Sequence, residues 1–402
     1  MKPSHRTTAV TAVTLLAATL LASTAAPALA APAAAHPHPR SVDGAALQRA
    51  LEQVTADGIP GAVAEVRDGN RVWSGTAGVE ELGGTRRPSP DARFRIGSVT
   101  KTFVATVVLQ LVAEKKIGLD DRIDRHLPGL IPATEDENGR PIHYGDRITV
   151  RQLLHHTSGL ANYTDSLFVS SGGDFNVLRT HHYTPPQLIG LAMDMKADTE
   201  PGGAWAYSNT NYVVLGLLVE RVTGRTLGQE IDRRVVRPLR LENTSMPTTA
   251  RIAGRHLHGY ERFPKPTDPL TDITEYDPDV FWGPGNMIST AHDLNVFSRA
   301  LLDGRLLPAA LGAEMRRLTP DDEVPQGRFY GLGLEGRTVF CADGSMMLGH
   351  TGSVPGYQTF TFSTPDGTRQ ATLALGSDTD ITRNEKAAGD AVKFMGAALC
   401  GR

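Results

Sequence analysis

Apolar positions recur at two different periods along the 402-residue chain, and the two periods occupy different parts of it. Ala46, Leu47, Ala50, Leu51 and Val54 keep helical spacing and predict an amphipathic helix over 42–57. Phe103, Val104, Val107, Val108, Leu111 and Val112 predict a second helix, with Lys115 and Lys116 in its last turn and Gly118 as its stop. Residues 61–66 and 72–79 read as strands joined at Asp68-Gly69-Asn70, a hairpin turn. From about 120 to 285 helices and loops dominate. Thr149, Thr184 and Thr226 each precede a glutamine by three residues, the signature of a capping box, and Pro185 takes the first helical position of the second. A further helix over 211–222 is closed by Gly224. Strand texture returns at 330–334, 337–341, 345–348, 358–363 and 371–376, before a last helix from Thr382 with Glu385 three residues on.

Both ends of the chain thus supply strands and a helix, while the middle supplies helices. The economical arrangement is an α+β fold: one antiparallel sheet built from both chain ends and flanked by helices, with a mostly helical domain inserted. On that reading 41–118 and 286–402 form the α/β domain and 119–285 the helical one.

The first thirty residues stand apart. Lys2 and Arg6 form a positive start, an apolar run covers 9–22, and Ala28-Leu29-Ala30 is a small-residue cleavage site, so a secretory signal peptide is expected over 1–30. A flexible Pro/Ala/His-rich lead-in follows over 31–40. No other apolar run reaches the ~18 residues of a membrane span, so an exported chain without a span in its mature form is expected. Its loss of two cations and no anions moves the formal charge from −3 to −5, which argues against nucleic acid as a partner. Cys341 and Cys400 are the two cysteines; in an oxidising compartment such a pair reads as a disulfide.

Three stretches carry chemistry. Ser98-Val99-Thr100-Lys101 opens the second helix, placing a serine at its N-terminus and a lysine one turn on along the same face. A serine hydroxyl needs a neighbouring base, and a lysine serves only if burial or nearby cations lower its pKa. Taken alone, the pattern equally describes an N-cap serine followed by a solvated lysine. Tyr207-Ser208-Asn209 follows a Pro-Gly-Gly loop, where a phenol can point into a cleft and an amide can donate and accept. Its plain alternative is a half-buried aromatic and a cap. His350-Thr351-Gly352-Ser353 falls between two predicted strands, where a glycine lets a substrate backbone approach and an N–H can bind a reacting carbonyl; it could also be a polar turn.

Together, and in this order, the three stretches resemble the Ser-x-x-Lys, Ser-Asp-Asn and Lys-Thr-Gly set of the serine penicillin-binding proteins and β-lactamases. Tyrosine and histidine replace the second set's serine and the third set's lysine, as is usual for the class C β-lactamase and D-alanyl-D-alanine carboxypeptidase branch. The similarity runs from about residue 45 to 400 through FRIGSVTK, HHTSGL, YSNTNY, YGLGL and GHTGSVPGY. The resemblance implies Ser98 as acyl-enzyme nucleophile and Lys101 as its proton partner. It implies Tyr207 as general base and acid, without settling which of the two takes the first proton. Asn209 would hold substrate and Lys101, and His350 would tune the charge. Thr351, Gly352 and Ser353 would bind substrate, with the N–H groups of Ser98 and Ser353 as oxyanion hole. Trp282 and Phe168 are expected to line the cleft. The implied activity is a D-alanyl-D-alanine carboxypeptidase or transpeptidase acting on peptidoglycan stem peptides or other D-amino-acid peptides. β-Lactams would be its inhibitors, and neither cofactor nor metal is expected. A β-lactamase, D-aminopeptidase or esterase shares the same chemistry, a penicillin- or wall-binding protein without turnover is of another class, and a monomer is expected.

One departure bears on substrate. The carboxypeptidase branch carries an arginine just after the Tyr-Gly-Leu-Gly-Leu stretch, where it can hold a terminal carboxylate. Here Glu335 takes that position, with Arg337 two residues on and so on the same strand face. Glu335 would pair with that arginine or repel an anionic substrate end. Two patterns are set aside: Gly331-x-Gly333-x-x-Gly336 lacks a following helix, and His155-His156 and His181-His182 lack metal-ligand spacing.

Overall fold

The computed structural model describes residues 43–400, apart from 136–140, 143, 171–178, 198, 263–264, 266–267, 321–326 and 379–383. The expected signal peptide, the lead-in and Thr382 lie outside the described residues.

Eight strands form one antiparallel sheet. They are β1 (Gly61–Asp68), β2 (Arg71–Gly78), β3 (Thr319–Pro320), β4 (Arg328–Tyr330), β5 (Glu335–Arg337), β6 (Met347–Val354), β7 (Tyr357–Ser363) and β8 (Arg369–Leu375). Their order across the sheet is β2-β1-β8-β7-β6-β5-β4-β3. The two chain ends meet where β1 pairs with β8, Ala62 opposite Leu375 and Asp68 opposite Arg369. Alternation along β1 separates two cores. Ala62, Ala64 and Val66 face outward under α1 (Gly44–Ala56) and the last helix, whereas Val63 faces the interior. The interior cluster runs without a break from Val63, Leu348 and Val354 through Phe103 to Leu153, Tyr163, Leu188 and Val214. Sheet and helical region therefore share one core.

The central helix α2 (Thr100–Ala113) is buried on nearly every side, which is why its sequence is apolar beyond one stripe. It ends earlier than Gly118. Lys115 takes the left-handed conformation, φ +58°, and the Lys116 N–H returns to the Leu111 carbonyl. A lysine thus does what a glycine usually does at a helix end. The helices α3 (Val150–His155), α4 (Tyr163–Ser170), α5 (Pro185–Met193) and α6 (Asn209–Thr223) form the middle, and α7 (Ala291–Leu302) covers the inner sheet face. Thr149 closes a full capping box with Gln152, as does Thr226 with Gln229. At Thr184 the Gln187 side chain reaches back to the N–H.

Three further boundaries differ from the sequence reading, each for a local reason. The stretch 330–334 turns rather than extends, because Gly333 adopts φ +72° and the Gly331 N–H bonds the Leu334 carbonyl. The strands shift outward to 328–330 and 335–337 accordingly. β6 continues to Val354, so His350-Thr351-Gly352-Ser353 lies inside a strand instead of between two. The last helix, α8 (Glu385–Leu399), is capped by Asn384, which accepts from the Lys386 and Ala387 N–H groups. The Cys341–Cys400 disulfide, with Cα atoms 5.5 Å apart, ties the end of α8 to the β5–β6 connection.

Candidate active site

Ser98 sits in a single 3-10 turn, Gly97–Val99, that leads into α2. Gly97 has φ +52°, and a Cβ on it would stand 2.7 Å from the Ser353 nitrogen. A Cβ on Gly352 would stand 2.0 Å from the Ile96 carbonyl oxygen and 3.3 Å from the Ser98 nitrogen. Two glycines thus bring the backbones of Ser98 and Ser353 side by side, the geometry an oxyanion pocket needs.

Lys101, one turn along α2, is fully buried. Its Nζ reaches Ser98 Oγ at 3.1 Å, Asn209 Oδ1 at 2.7 Å and the Pro284 carbonyl at 3.2 Å. Burial holds its pKa well below the ordinary lysine value; Glu335 opposes this and Arg328 adds to it. A neutral amine is satisfied by the same neighbours, donating to Asn209 and Pro284 and accepting from Ser98. Asn209 opens α6 and is itself set by its N–H donating to Asn162 Oδ1 at 3.0 Å. Its Nδ2 lies 3.3 Å from Thr164 Oγ1.

The Tyr207 hydroxyl lies 2.8 Å from Ser98 Oγ. Burial raises its pKa above the ordinary phenol value, so it rests as a phenol that donates. Beneath its ring lies His156, 4.4 Å between centroids, in the left-handed position that ends α3. The His156 Nδ1 accepts from the Ser208 N–H, and its Nε2 meets the Tyr330 hydroxyl at 3.2 Å. Tyr330 in turn lies 3.0 Å from His350 Nε2, whose Nδ1 faces the Thr351 carbonyl. Burial pushes both imidazoles down, His350 to about 4. Two neutral rings bridged by a tyrosine therefore tie the Tyr207 and His350 stretches together from below. His350 supports the site from the interior, its two ring nitrogens on Tyr330 and Thr351.

Thr351 Oγ1 donates to Glu335 Oε1 at 2.9 Å. Glu335 is wholly buried and ion-paired with Arg337 at 2.9 Å and Arg328 at 3.3 Å. Burial alone would raise its pKa, but the two guanidinium groups prevail and hold it at about 2. Arg337 thus serves Glu335. Arg328, which sequence reasoning passed over, spreads over Trp205 and Tyr207 at 5.5 and 5.8 Å from the ring centroids. His156, Trp205 and Tyr330 are site residues that the sequence reading does not single out; HHTSGL and YGLGL are the stretches that signal the first and the last.

Trp282, expected to line the cleft, stands two residues before Pro284, whose carbonyl accepts from Lys101. Its ring packs on Gly216, where a Cβ would stand 2.8 Å away, two turns along α6 from Asn209. Trp205 is the tryptophan beside Tyr207, at 6.1 Å. Phe168 belongs to α4, and its side chain is outside the described residues. His182, dismissed on spacing, meets Asp277 and Asp279 at 3.3 Å each on the surface, a grouping with ligand-like atoms but no further feature. Among the described residues no helix is long and apolar enough to cross a membrane.

The profile of the family described as Beta-lactamase matches residues 47–390. Among curated relatives, Penicillin-binding protein 4 of Amycolatopsis lactamdurans is 29% identical over 270 residues, and Esterase EstB of Burkholderia gladioli 32% identical over 213. These alignments take in 64% and 50% of this chain, which spans 65% and 51% of those relatives' own lengths. Among solved structures, a D-stereospecific amidohydrolase from Streptomyces sp. is 38% identical with a TM-score of 0.77, covering 86% of this chain and 97% of that one.

Proposed function

The chain belongs to the beta-lactamase family of serine hydrolases, and on that premise we propose that it hydrolyses amides of D-amino acids through a Ser98 acyl-enzyme. One observation carries the reading: Ser98 Oγ lies between Lys101 Nζ and the Tyr207 hydroxyl, on a turn whose backbone lies beside that of Ser353. Lys101, kept partly neutral by burial, takes the Ser98 proton as Oγ attacks the carbonyl carbon. The Ser98 and Ser353 N–H groups hold the oxyanion, a contribution of about 3 kcal/mol per donor. Tyr207 gives its proton to the leaving nitrogen as the C–N bond breaks and is reprotonated from Lys101. Water then attacks the ester, and the proton returns to Ser98.

The D-amino-acid amide class is favoured over free acids by Glu335. The arginine that would fork a terminal carboxylate is replaced by a carboxylate, and both nearby arginines are engaged with it. The likeness to the D-stereospecific amidohydrolase supports the same choice. The second reading is a D-alanyl-D-alanine carboxypeptidase/transpeptidase on peptidoglycan stems, inhibited by β-lactams. The motif set and the likeness to a penicillin-binding protein favour it. Export fits either, given the positive start, apolar run and Ala28-Leu29-Ala30 site. The test is kcat/KM for D-alanine amide, an acylated D-Ala-D-Ala peptide, nitrocefin and the L-amide. The D-amide should lead, and Ser98→Ala should be silent on all. Dominant D-alanine release from the acylated peptide would establish the carboxypeptidase instead, and preference for the L-amide would end both readings.

A further inference from the structure

Glu335, the first residue of β5, pairs with Gly349, and the pairing of β5 with β6 goes no further toward Val354. From His350 to Val354 that edge of β6 therefore faces the Ser98 turn rather than another strand. Ser353 is exposed at this edge, and its Oγ donates to Asp378 Oδ1 at 2.6 Å. Asp378 lies just beyond β8 and is fixed from behind. Its N–H donates to Oε1 of the buried Glu261 at 3.2 Å, and the same oxygen takes the Gly356 N–H at 3.1 Å. A carboxylate is thus held against the side chain of the residue whose backbone lies beside that of Ser98.

We propose that Asp378 and Ser353 form a recognition site for the protonated α-amino group of the acyl donor. The proposal rests on the Ser98 acyl-enzyme reading and narrows its substrates to D-amino acids with a free amino terminus: their amides, esters and short peptides. A carbonyl oxygen seated between the Ser98 and Ser353 N–H groups brings the donor's α-carbon alongside Ser353. A nitrogen on that carbon is two bonds from the reacting carbon, within reach of the Ser353 hydroxyl and the carboxylate behind it. An ammonium offers three donors and a charge to that pair; Ser353 Oγ keeps lone pairs to accept after donating to Asp378. An N-acylated nitrogen offers one N–H and no charge. The site therefore distinguishes a free aminoacyl group from the interior of a longer chain, which no feature of the Ser98–Lys101–Tyr207 group does.

The test compares D-alanine p-nitroanilide with its N-acetyl derivative, using the whole mature protein. Wild type should favour the free amine. In Asp378→Asn the ratio of the two kcat/KM values should fall by about 10–100-fold, the range for losing a hydrogen bond to a charged group, with the loss carried by KM. Asp378→Glu should restore part of it. Misfolding lowers both rates together and leaves the ratio unmoved. An unchanged ratio in an Asp378→Asn protein that keeps the wild-type kcat/KM for the N-acetyl substrate overturns the proposal, as does a wild type that is labelled at Ser98 by penicillin yet favours the N-acetyl substrate. Undiminished turnover of both substrates in Ser98→Ala would remove the acyl-enzyme reading first and this proposal with it.

Discussion

Tyr207 donates its phenol hydrogen to Ser98 Oγ across 2.8 Å, with the Lys101 nitrogen 3.1 Å from the same oxygen. Three elements far apart in sequence thus converge on one atom. Penicillin should add one adduct to the wild type in intact-mass spectra, and none to Ser98→Ala. Lys101→Ala and Tyr207→Phe should each slow turnover by about two or more orders of magnitude, the usual worth of positioned proton transfer. An adduct that persists in Ser98→Ala would refute the nucleophile.

Turnover should rise with pH on a limb set by Lys101, because its neutral form accepts the Ser98 proton. Burial lowers that pKa and Arg328 lowers it further, so the limb lies below the ordinary lysine value. Removing a nearby cation favours the protonated amine. Arg328→Gln should therefore move the limb to higher pH, and Arg328→Lys should move it less. The kcat/KM profiles of the three proteins decide this; a merely structural role would lower the plateau without displacing the limb.

Glu335 occupies the position where a carboxylate-binding arginine is expected, and its charge is balanced by Arg328 and Arg337. Replacing it with glutamine removes the carboxylate that the two cations share and should cost roughly 3 kcal/mol of stability. Glu335→Arg should raise kcat/KM for a D-Ala-D-Ala peptide relative to its C-terminal amide. Strong preference of the wild type for the free acid would show that Glu335 has no influence on the cleft.

At Gly352 any side chain meets the Ile96 carbonyl at 2.0 Å, which is backbone and has little room to yield. Gly352→Ala should part β6 from the nucleophile turn and cut turnover by about 10²–10³-fold, the worth of one oxyanion donor. The substitution should change far-ultraviolet circular dichroism little. Full activity in this variant would mean that the two N–H groups do not act together.

The disulfide closes a separation of 59 residues and should stabilise by about 4 kcal/mol in the chain-entropy model. Cys341→Ser with Cys400→Ser should lower the melting temperature by several degrees. Turnover at 25 °C should stay close to wild type, since the bond joins α8 to the far side of the sheet. Peptide mapping without reductant checks the pairing directly.

The local pattern by itself determined the antiparallel sheet from both chain ends, α1, α2 and the caps at Thr149 and Thr226, because periodicity and capping depend on residues close in sequence. The resemblance of three ordered stretches to a known motif set grouped Ser98, Lys101, Tyr207 and Asn209, which each stretch alone left open. What the chain could not show was which side chains share a buried volume. That the Trp282 ring packs on Gly216 and that Trp205 lies beside Tyr207 follow from the folded chain alone. Whether Glu335 would pair with Arg337 or face substrate depended on a cross-strand register that also brings Arg328, seven residues earlier, to the same carboxylate. The neutral state of His156 and His350 was equally out of reach, because their pKa values follow from burial, and burial belongs to the folded chain alone.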